Sequence, residues 1–237
     1  MSTILKKLLI GKVAPKQFEK YNPIQKRIQN IVSIWNNDHH EDSGIEKIVR
    51  LFLSSSQLLF PGIYLKYVAN KLGHEYQDLS MDIYIIFKVI FPFLILYNQW
   101  QSNNYFLAIM IYVLIETVLY IQTLIFASDL FKRPRSYKRS MLLLFFNYIE
   151  IVVSFAVLYT LGNNMNKPFT HWFDPIYFSI ISSNSIGFGD FFPITTYGKI
   201  LVSLQGMFFL SFVVLFLNFF STKVKTKGYF DNEDTID

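Results

Sequence analysis

Four stretches of this chain, 81–100, 105–127, 141–161 and 198–220, are apolar over the length a bilayer requires; about 20 helical residues cross its hydrocarbon core. No other feature limits the fold so strongly. In hydrocarbon every backbone amide needs a partner inside the protein, so separate runs of this kind fold as helices. The chain therefore reads as an all-α membrane protein with four transmembrane helices. Hydrophobic residues make up 52% of the 237 and aromatic residues 18%, which suits that class.

Charge supplies the orientation. The formal net charge is +5, but the cations flank apolar spans, which is the pattern of a membrane surface and not of nucleic-acid binding. Lys132, Arg133, Arg135, Lys138 and Arg139 lie between the second and third spans, and Lys223, Lys225 and Lys227 follow the fourth. Both clusters are expected inside the cell, while the uncharged turn 98–104 is expected outside. The expectation is a multi-pass protein of the cell membrane with both termini cytoplasmic. Residues 8–10 are too short an apolar core for a signal peptide. Without cysteine, disulfides, thiolate metal sites and cysteine nucleophiles are excluded.

A short segment precedes the fourth span. Asp174 is a helix N-cap and Pro175 suits the first helical position. Residues 176–182 extend that helix by about two turns, too few to cross. There follow Ser182-Ser183-Asn184-Ser185-Ile186-Gly187-Phe188-Gly189-Asp190. Glycine at alternate positions supplies backbone angles that residues with a Cβ resist. Such a chain can run extended with successive carbonyl oxygens facing one axis, where they replace the hydration shell of a cation.

The S-I-G-F-G-D stretch resembles the selectivity filter of the potassium channel family, of the single pore-loop, bacterial-like type. The likeness covers about 141–220: outer helix, re-entrant pore helix, filter and inner helix. It implies that Ser185, Ile186, Gly187, Phe188 and Gly189 hold K⁺, and that Asp190 bonds an aromatic donor, here Tyr177. It implies a homotetramer that conducts K⁺ passively, with no cofactor and no catalytic residue. Serine at 182 and 185 and asparagine at 184 replace threonines usual in the family, which loses β-branched stiffness. Where many relatives carry a hinge glycine this chain has Phe209, and Gly206 one turn earlier reads as a hinge or as a small packing residue. Asn218 is a candidate gate residue. Spans one to three contain no arginine ladder, so no voltage sensor is expected.

Outside 141–220 the division is 1–80 as a cytoplasmic or interfacial, mainly helical segment, 81–127 as a transmembrane hairpin, 128–140 as a basic linker and 221–237 as a tail. Ile45, Ile48, Val49, Phe52, Ser56, Leu59, Phe60 and Ile63 form one helical stripe with Glu46, Lys47 and Arg50 off it, an amphipathic helix on the inner leaflet or under the pore. Three charges inside spans, Lys88, Glu116 and Glu150, fall at similar depth by helical rise and form a candidate buried cluster. The linker cations are candidate contacts for anionic inner-leaflet lipid. His171 is a candidate external pH sensor, and His39 and His40 with Asp38, Glu41 and Asp42 suggest a metal site only loosely. Two other functions remain open: a weakly selective cation channel of the same fold, or a non-conducting regulatory membrane subunit.

Overall fold

A computed structural model describes residues 22–38, 42–73, 76–130 and 137–221. Among them are eight α-helices and no strand. They are α1 (Pro23–Asn36), α2 (Gly44–Ser56), α3 (Pro61–Leu72), α4 (Tyr76–Tyr97), α5 (Asn104–Phe126), α6 (Tyr137–Tyr159), α7 (Asp174–Ser183) and α8 (Thr196–Ser221).

Four of these, over Asp78–Tyr97, Asn104–Phe126, Lys138–Tyr159 and Thr196–Asn218, are long and apolar enough to cross a membrane. The protein is a multi-pass, all-α membrane protein. The first span begins and ends a few residues earlier than hydropathy suggests. At its start Asp78 and Asp82 pair with Arg139 of α6 at 3.0 and 2.6 Å, so charge enters the helix without being left unpaired. At its end Gln99 turns left-handed (φ +57°) and stops the helix. The Asn103 side chain then caps α5 through the Tyr105 amide at 3.0 Å.

Helix α6 is the centre of the molecule. Ile151 to Val153 and Phe155 to Tyr159 are all buried, and a helix that is apolar all round belongs in an interior. It packs against α4, α5, α7 and α8.

Residues 45–68 depart from the sequence expectation. They form no single amphipathic helix: α2 continues through a 3₁₀ turn, Gln57–Leu59, and α3 starts afresh at Pro61. Proline has no amide hydrogen to continue the ladder and forces an extended residue before it; Phe60 has φ −107° and ψ 152°. The stripe is also split, with Ser56 and Phe60 buried and much of the rest facing outward. Ile45, Ile48, Phe52 and Leu59 of the apolar stripe are 80, 68, 61 and 72% exposed, while Arg50 is buried. Arg50 reaches Asp42 at 3.1 Å and Asp129 at 2.6 Å. Within one chain the pair packs on α4 and α5.

Candidate functional site

The loop from Asn184 to Asp190 is held at one end by Tyr148 of α6 and at the other by Asn166, in the segment between α6 and α7. Helix α7 starts one residue earlier than its cap chemistry suggests, so Asp174 is its first residue and not its N-cap. Phe173 occupies the N-cap, and the Asp174 carboxylate turns back to accept from the Thr170 and His171 amides at 2.8 and 2.9 Å and from the Thr170 hydroxyl at 3.1 Å. Burial pushes this carboxyl up, but those donors outweigh it and hold the group below the ordinary carboxylate range.

Below that start, a neutral network fastens α7 to both long helices. The Ser179 hydroxyl donates to the Val152 carbonyl of α6 at 2.6 Å. Gln205 of α8 donates to the Ser179 carbonyl at 3.1 Å and to its hydroxyl oxygen at 2.7 Å. Tyr159 of α6 donates to the Gln205 amide oxygen at 2.6 Å. All three side chains are buried, so each bond satisfies a group that would otherwise be costly in an apolar interior.

At the C-terminal end of α7 the amides of Asn184, Ser185 and Ile186 donate back to Ile180, Ser182 and Ile181 at 3.1, 3.2 and 2.9 Å. The Tyr148 hydroxyl of α6 lies 3.1 Å from that of Ser183 and donates to the Asn184 side chain at 3.2 Å. Ser185, Gly187 and Gly189 have φ of +57, +54 and +84°, while Ile186 and Phe188 between them stay negative. Alternation in the sign of φ is a pattern that allows successive carbonyls to face one side. A Cβ added at Gly187 or Gly189 meets nothing within 4 Å. The glycines are required for their angles and not for space.

Beyond the loop, Asn166 donates to the Asp190 carbonyl at 3.2 Å and exchanges bonds with Phe192, and the Ile194 amide donates to Asn164. Asp190 lies beside the Tyr177 hydroxyl, and its Oδ1 is buried without a partner within one chain. Partial burial, and then the Asp190 carboxylate, raise the Tyr177 phenol above its ordinary range.

The three span charges come together away from this loop. Lys88 lies 3.8 Å from Glu116 and 3.5 Å from Glu150. It donates to the Thr117 hydroxyl, which in turn lies 2.9 and 2.8 Å from the two Glu150 oxygens. Tyr84 donates to Glu116, and so does the Gly62 amide of α3 at 3.2 Å. Among the proposed lipid contacts, Lys132, Arg133 and Arg135 lie outside the described residues, as do His39, His40 and Glu41. Lys138 is exposed, but Arg139 is engaged by Asp78 and Asp82. His171 is exposed and its ring accepts from the Phe173 amide at 3.2 Å. Among the described residues no group of three metal-ligating side chains occurs. A Cβ at Gly206 meets nothing within 4 Å, so within one chain this glycine serves no close helix approach. Phe209 sits 6.1 Å from the Tyr148 ring, centroid to centroid.

Gln205, Ser179, Tyr159, Asn164 and Asn166 had no role in the sequence reading. One signal was available: Gln205 is an amide well inside a mainly apolar span, where an unsatisfied polar group is expensive.

A family profile described as "Ion channel" matches residues 143–226, from early α6 past the end of α8. This match supports an ion-channel family. No curated protein and no solved structure matches the chain.

Proposed function

We propose that this chain is the subunit of a potassium-selective channel, conducting passively through a pore built from four copies. The observation that carries the reading is the alternation of φ sign over Ser185–Gly189 at the C-terminal end of a half-length helix. That geometry aims a row of carbonyl oxygens one way, and the negative end of α7 favours a cation beside it. One chain contributes a single row, so a ring needs symmetric copies. In keeping with this, Ile186 and Phe188 are 53 and 69% exposed, and α8 leaves Ile200, Leu204, Met207, Leu210 and Val214 uncovered along one stripe. Orientation with both termini cytoplasmic follows from the basic linker.

The test is rubidium and sodium flux into proteoliposomes holding the purified full chain. Rubidium flux well above sodium flux, blocked by barium and abolished by Gly187→Ser, is expected. Equal sodium and rubidium flux would instead identify a weakly selective pore. Absence of flux from well-folded protein would identify a regulatory subunit.

A further inference from the structure

We propose that Gly44–Leu59 and Pro61–Lys71 form a re-entrant element inserted in the bilayer, with lipid acyl chains covering its outer face. Three observations converge. The first is its inside-out pattern. From Leu51 to Leu65 the sequence has no charge, and Phe52, Leu59, Tyr64 and Leu65 are exposed. The charges that flank this stretch face inward instead, while Glu46 and Lys71 at the element's ends are exposed: Arg50 is buried, and Lys66 lines a cavity of about 260 Å³ with Tyr84, Lys88, Glu116 and Arg139. A helix in water hides apolar residues; one in lipid shows them.

The second observation is how the break is sealed. At a helix interruption in water, solvent takes the freed backbone groups. Here the Tyr64 hydroxyl donates to the Leu58 carbonyl at 2.7 Å, and the Tyr112 hydroxyl donates to the Leu59 carbonyl at 2.6 Å. The Gly62 amide goes to Glu116, and a Cβ at Gly62 would lie 2.7 Å from that carboxylate oxygen. Internal satisfaction of a proline break is what hydrocarbon demands. It also gives Glu116 a task, as the cap of a helix that starts inside the membrane.

Depth is the third. Tyr112 and Glu116 lie in the middle of Asn104–Phe126, so the break sits level with the centre of a span. Its outer face is also continuous with the exposed Ile109, Tyr112 and Ile115 of α5. Both ends return to the side where α6 begins: Arg50 pairs with Asp129 after α5, and α3 leads through Gly73 into α4, whose first turns hold Arg139.

This inference rests on the four spans crossing a bilayer but not on what the pore conducts. The chain has no cysteine, so single nitroxide labels can be placed at Ile45→Cys, Phe52→Cys and Leu59→Cys in the full chain. Ile115→Cys sets the value for a lipid-facing span residue, and Leu53→Cys the value for a buried one. In phosphatidylcholine–phosphatidylglycerol vesicles, collisions with dissolved oxygen should exceed those with an aqueous nickel chelate severalfold at 52 and 59, as at 115, with the smallest excess at 45. Nickel collisions dominating at 52 and 59 while 115 reads as lipid would place the element in water and overturn the proposal. Low collisions with both reagents at 52 and 59 would put protein there, such as a second copy, and overturn it equally.

Discussion

Two polar clusters lie inside this apolar molecule, and they are built differently. Tyr159, Ser179 and Gln205 form a neutral network joining α6, α7 and α8 through bonds of 2.6 to 3.1 Å. Lys88, Glu116 and Glu150 form a charged one, tying α4 and α5 to α6 and, through Gly62, to α3. A neutral network costs little to bury when complete, and it fixes the position of a helix. A charged one holds only as a set, because removing one member strands the others. The first is thus a rigid support for the glycine loop after α7. The second is a seam between α6 and the helices α3, α4 and α5, and α6 carries both.

The sharpest way to break this contrast is to remove the single cation. Lys88→Met leaves Glu116 and Glu150 facing each other, and loss of about 3–5 kcal/mol is expected, read as a large drop in thermal unfolding temperature in detergent. The triple change Lys88→Met, Glu116→Gln, Glu150→Gln should recover much of that loss. If Lys88→Met is neutral, the seam is not held by charge.

A smaller effect is expected in the neutral network. Gln205→Leu strands the Tyr159 hydroxyl, at about 1–3 kcal/mol, and should lower the rubidium-to-sodium flux ratio as α7 loosens. An unchanged ratio would separate the network from the filter. Smaller again, Tyr112→Phe frees the Leu59 carbonyl at the break between α2 and α3, a loss of about 1 kcal/mol that differential scanning would detect, with the flux ratio unaltered.

The smallest effect concerns pH. Because the folded Asp174 carboxyl titrates below its ordinary range, its contribution is present above the unfolded value and is lost as pH falls through the folded one. Wild type should therefore exceed Asp174→Asn in stability by a constant margin at neutral pH, and the margin should close only in acid. A margin that opens in acid would contradict the bonds to Thr170 and His171.

The spans were legible because hydropathy over the length of a bilayer is a one-dimensional property. So was the half-length helix with its glycines, since Pro175 and alternate Gly187 and Gly189 act locally. Ser185 was harder. Its +57° φ belongs to the same alternation, but a serine gives no sign of left-handed backbone. A β-branched residue would be an outlier at that angle, which gives the serine a reason the resemblance alone did not offer. The second helical stripe misled for a different reason: the period of Ile45, Ile48 and Phe52 reveals a face but not what covers it.

By itself, then, the sequence determined the long helices, their apolar length and the place of the glycine loop after a half-length helix, because burial in hydrocarbon and backbone angles are set by residues in order. Only the tertiary structure decided which charges meet, that Gln205 locks α7, and that Ile45, Ile48 and Phe52 of α2 face outward. Those depend on contacts between residues far apart in the chain, as between Gly62 and Glu116, where neither residue alone carries a sign of the other.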